Sequence, residues 1–196
     1  EQVELGGESL WLGSAVLLAG SVSVFLRQRA LFTFTLAAGV ASWLVGNLLW
    51  LAGFSIFEVV PWWAGFLVLT IAGERLELSR FLPPSPVAQR VFIGVLAGLT
   101  FGMAFQPQVF GAALLVLALW LLRQDIARRT VKDTGLTRFI AVCLLSGYLW
   151  LLVGGVLLTL QPPLVLLADA ALHAIFVGFV LAMVFGHAPI IFPAIV

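Results

Sequence analysis

Asp169 and His173 stand four residues apart in the apolar run PLVLLADAALHAIFVGFVLAMVFGH. On a helix that spacing puts both on one face, one turn apart. A carboxylate hydrogen-bonded to one imidazole nitrogen fixes the tautomer and leaves the other nitrogen as a metal ligand. The same couple can serve as a short proton relay, or simply fasten one helix to another. His187 follows His173 by fourteen residues. Fourteen steps of about 100° leave the two imidazoles roughly 40° apart on a shared face, about 21 Å apart along the axis. Both histidines lie on one helix, so a bis-histidine haem needs further ligands from another subunit or from chain outside this segment.

Depth makes the couple conspicuous. Counted from Pro163 at about 1.5 Å per residue, Asp169 lies about 9 Å and His173 about 15 Å into a bilayer, the latter near the midplane. A charged side chain there costs about 2.5–3.5 kcal/mol on insertion scales, so ionisable groups at that depth are functional by default. The earlier apolar runs carry no Asp, Glu, His, Lys or Arg well inside the hydrocarbon. Glu58 reads as a solvated or first-turn carboxylate, Asn47 as an interhelical hydrogen-bonder, and Glu74, Arg75 and Glu77 as weak local ion pairs. Cys143, the single cysteine, reads as a small apolar residue. No GxSxG, HExxH, P-loop or GxGxxG motif is present.

The elements that position these residues are apolar runs long enough to cross a hydrocarbon core of about 30 Å. They are Ser9–Leu26, Leu31–Phe54, Pro61–Leu78, Pro86–Phe105, Pro107–Leu122, Thr137–Leu160 and Pro163–Gly186, with Ala188–Val196 as the start of an eighth. Prolines open several of them, where a missing N–H is harmless. Gly94, Gly98 and Gly102 form a ridge of small residues along the fourth run. The expected fold is therefore all-α: a polytopic transmembrane helix bundle forming one domain over residues 1–196, within a longer chain. Composition agrees. Hydrophobic residues make up 62% and charged residues 10% of the 196, whereas soluble domains carry about 25% charged residues. A lipid bilayer is the expected solvent. With a net charge of +1 and no basic stripe, nucleic acid is excluded as a partner.

Seven alternating spans put all ten Lys and Arg residues in loops on one side: Arg27 and Arg29; Arg75, Arg80 and Arg90; and Arg123, Arg128, Arg129, Lys132 and Arg138. That side is expected to be cytoplasmic, and the start with Glu1, Glu4 and Glu8 outside. The charged connection Arg123–Arg138 reads as a solvated loop that touches anionic headgroups.

Gly147-Tyr148-Leu149-Trp150 with Gly154-Gly155, then Leu172-His173-Ala174 with Gly178 and Met183, then Gly186-His187, resemble the C-terminal half of NnrS-type membrane proteins. The resemblance covers about Cys143–Pro189. It implies a polytopic bacterial inner-membrane protein that binds haem and copper and is linked to nitric-oxide stress, with His173 and His187 as ligands. The sequence departs from the family pattern after His187, where Ala-Pro-Ile-Ile replaces Thr-Gly-Arg and the preceding Arg is missing. The leading expectation is a haem- or copper-binding protein of the respiratory or nitric-oxide-response type, ligated by His173 and His187 with Asp169 as orienter. Its expected partners are further copies of itself in a homo-oligomer or other membrane subunits. The competing expectations are a proton-coupled transporter or channel using Asp169 and His173, and a structural membrane subunit.

Overall fold

The computed structural model describes residues 2–78, 85–160 and 165–195. It is all-helical there, and seven helices are long and apolar enough to cross a membrane. The elements are α1 (Gln2–Arg27), α2 (Leu31–Leu51), α3 (Ile56–Leu78), α4 (Pro86–Phe105), α5 (Pro107–Gln124), the short α6 (Ala127–Thr130), α7 (Gly135–Leu160), α8 (Val165–His173) and α9 (Leu181–Ile195). A π-helical stretch, Ala174–Val180, joins α8 to α9 without a break. Contacts gather into two compact units, Glu1–Leu78 and Ser79–Val196.

In the first unit α2 and α3 form a hairpin whose turn contains Gly53 at φ 85°, a conformation that favours glycine. Ser55 caps α3: Glu58 Oε2 accepts from the Ser55 N–H at 2.9 Å and from its hydroxyl at 2.7 Å. This cap starts α3 five residues before Pro61, the expected opening, and Pro61 sits inside the helix. Asn47 is a buried polar hub. Its Nδ2 donates to Ser14 Oγ and to the Leu10 carbonyl, both at 3.2 Å, and its Oδ1 accepts from Trp63 Nε1 at 3.1 Å. One side chain thus joins α1, α2 and α3, the interhelical role read from sequence.

In the second unit backbones approach closely at several glycines. A Cβ on Gly111 of α5 would sit 2.6 Å from Thr159 N and 2.9 Å from Gly155 O of α7. One on Gly155 would lie 2.7 Å from Leu115 N. The α4–α5 turn is tight enough that Gly102 meets the Phe110 backbone, and the Trp120 indole donates to the Ala88 carbonyl at 2.9 Å. The expected ridge on α4 is only partly used. Gly102 and Gly98 face α5, while Gly94 has open space beside it, because each four-residue step drifts about 40° and turns Gly94 off the α5 face.

The expected eighth span does not begin at Ala188. Helix α9 runs unbroken to Ile195 through Pro189, and the apolar span is Ala168–Phe192. The expected helix opening at Pro163 lies outside the described residues.

Gly111→Ala should destabilise the protein by about 1–3 kcal/mol, because backbone atoms at that crossing cannot step aside. Gly94→Ala should be neutral. Thermal melts of the two variants in the same detergent check the contrast.

Candidate functional site

Helix α8 carries the ionisable couple. Its sequence, VLLADAALH, is rich in Ala and Leu, which lose little on entering a helix. His173 ends the α-helical turn and the π stretch begins at the next residue. The His173 Nδ1 lies 2.9 Å from the Asp169 carbonyl oxygen and 3.5 Å from Asp169 Oδ2. A carbonyl can only accept, so this contact calls for a proton on Nδ1, and in the neutral imidazole that tautomer leaves the lone pair on Nε2. The main orienting contact is therefore the Asp169 backbone. The carboxylate expected in that role stands farther off, because the helical i–4 carbonyl is the nearer acceptor. Both side chains are exposed, at 66% for His173 and 62% for Asp169. They face away from α7, against which Ala171, Ala174 and Ile175 are buried.

His187 repeats part of this arrangement. Its Nδ1 lies 2.5 Å from the Met183 carbonyl, again one turn back. It is half-buried, next to Gly186, which packs towards Cys143 and Ile140 of α7.

The π stretch separates the two imidazoles. Ala171, Ile175, Phe179 and Met183 are spaced four apart and are all buried, none more than 2% exposed. In pure α geometry each four-residue step drifts about 40°, which would turn Met183 off the α7 face. The wider π turn removes that drift. Over seven residues it lags an α-helix by roughly 100°, so His173 and His187 end about 140° apart rather than 40°. The shared face expected from uniform spacing is not formed, and one bound group cannot touch both rings.

Along the continuous helix Val165–Ile195, His173 and His187 lie seven residues to either side of Val180, about 10 Å each way. A bilayer centred on that helix places both rings at similar depth, whereas a span ending at Gly186 places His173 near the midplane.

Among the described residues no group of three or more His, Cys, Asp or Glu is placed to hold a metal ion. A feature not read from the sequence is the bond from the buried Tyr148 hydroxyl to Asp125 Oδ2 at 2.5 Å. It ties the middle of α7 to the turn after α5. Asp125 Oδ1 also accepts from the Ala127 N–H at 2.8 Å, and no local pattern in the sequence marks the Tyr148 bond.

A family profile described as a domain of unknown function, DUF8744, matches residues 2–196. No curated protein and no solved structure matches the chain.

Nitroxides placed singly at 173, 180 and 187 in bilayers should show the greatest depth at 180, with 173 and 187 shallower by similar amounts. Collision with oxygen and with a water-soluble nickel chelate measures this. Greatest depth at 173 would restore the span ending at Gly186.

Proposed function

The chain belongs to that family, and we propose that it is a multi-pass protein of the bacterial inner membrane that binds haem through His173. The supporting observation is the state of the His173 ring. Its Nδ1–H is held by the Asp169 carbonyl, and its Nε2 has no hydrogen-bond partner among the described residues, on an exposed face within a membrane span. An imidazole acceptor left bare in hydrocarbon is costly, so a bound group or a second subunit covering it is favourable.

The donor set fits haem better than a bare metal ion. A porphyrin supplies four ligands itself and asks the protein for one or two axial side chains. Zinc or copper sites draw three or four donors together, and copper here would need ligands from a second chain. When bound, haem supplies diatomic-gas binding or one-electron transfer. The protein's own contribution is to present Nε2 and to lock the ring through the Asp169 carbonyl. His187 is a second ligand candidate for a separate group near the other end of the helix.

The resemblance of residues 143–189 to NnrS-type proteins supports a role in nitric-oxide response or respiratory metabolism. The reading puts the Lys- and Arg-bearing loops in the cytoplasm and the start of the segment outside, on the positive-inside rule.

Purified protein should show a Soret band that disappears in His173→Ala. Asp169→Asn should weaken haem affinity by no more than about tenfold, because the carbonyl that holds Nδ1 remains. A colourless, metal-free protein whose vesicles show proton-dependent flux would replace this reading with the transport one. A colourless protein with no flux would leave a structural subunit.

A further inference from the structure

A second site lies at the far end of α5. A cleft of about 660 Å³ opens there, lined by Arg123, Arg128, Arg129 and Lys132 and one carboxylate, Asp125. Asp125 is already engaged: Oδ2 accepts from Tyr148 and Oδ1 from the Ala127 N–H. Arg128 Nη1 donates to the Arg123 carbonyl at 3.1 Å, which holds that guanidinium at the cleft. Among the described residues no carboxylate forms an ion pair with any of the four cations. Four positive charges around an open cleft favour an anion, and guanidinium groups suit phosphate oxygens.

The cleft does not stand alone. A groove of about 320 Å³ between α4 and α5 shares Arg123 and Gln124 with it and is walled by Val87, Val91, Val116, Leu119 and Trp120. The Trp120 indole N–H is taken by the Ala88 carbonyl and its ring packs on Phe92 at 4.8 Å, so it offers a fixed apolar wall. An apolar groove running into a cationic cleft has the same order of chemistry as an anionic phospholipid.

We propose that cleft and groove form one site for a phosphate-bearing anionic lipid. The phosphate lies among Arg123, Arg128, Arg129 and Lys132, and one acyl chain lies along Val87, Val91, Val116 and Leu119. The site is independent of haem binding at His173.

The test uses the whole chain in mild detergent, titrated with phosphatidylglycerol or phosphatidylcholine, with bound lipid counted by native mass spectrometry. Phosphatidylglycerol should bind at least about tenfold more tightly, given roughly a fivefold gain per basic residue. Arg128→Ala with Arg129→Ala should lose about 25-fold for phosphatidylglycerol on the same basis and far less for phosphatidylcholine, whose choline cation already offsets its phosphate; an unchanged thermal melt reports an intact fold. Arg27→Ala with Arg29→Ala, an equal loss of charge outside the cleft, should not. Val116→Trp, which fills the groove at constant charge, should weaken phosphatidylglycerol as well. Equal binding of the two lipids, or equal loss in the Arg27/Arg29 control, would overturn the site. Inorganic phosphate displacing the lipid mole for mole would mean that the cleft takes a free anion, and would overturn the lipid.

Discussion

Hydrocarbon offers no hydrogen bonds, so every backbone N–H and C=O that enters it must find a partner within the protein. The architecture follows from that. The chain is helical through nearly all its described length, and its connections are short. Apolar side chains gain nothing by leaving lipid for a helix surface, so the helices are held by close contact instead. Gly111 and Gly155 let α5 and α7 touch backbone to backbone, and Gly102 does the same at the α4–α5 turn. Large side chains such as Val16, Phe57 and Phe105 stay exposed, at no cost in lipid and a heavy one in water.

Against this background the polar groups within the spans divide in two. Asn47 is satisfied inside its unit, with both ends of its amide bonded and 3% of its surface exposed. His173 is satisfied on one nitrogen only and looks outward. The same solvent that makes Asn47 a fastener makes His173 a demand for something else. The π stretch that starts beside it serves packing directly, keeping Ile175, Phe179 and Met183 on α7. Its second effect is to turn His173 and His187 apart.

Much of this was legible in the residues. The apolar runs gave helix positions because a membrane span needs length and apolarity alone, and Asn47 was identifiable because an amide in such a run must find a partner. The face of His187 was not legible, since one inserted residue of turn is invisible to a fixed 100° step and depends on contacts with Trp150 and Met183 across the helix pair. Nor was the end of the last helix: Pro189 looked like a stop, yet the helix accommodates it. The cationic cleft after α5 includes Asp125, which is bonded to Tyr148, 23 residues away in the chain. Local pattern carries no trace of a contact that distant.

The account rests on alternating spans with every basic loop on one side of a bilayer. Single cysteines at Gln28, Gln106 and Arg128, in a Cys143→Ser background, can be treated with a membrane-impermeant maleimide in sealed vesicles of known orientation. Positions 28 and 128 should label from the same face and 106 from the other. Labelling of 28 and 128 from opposite faces would contradict the threading and, with it, the depth assigned to His173.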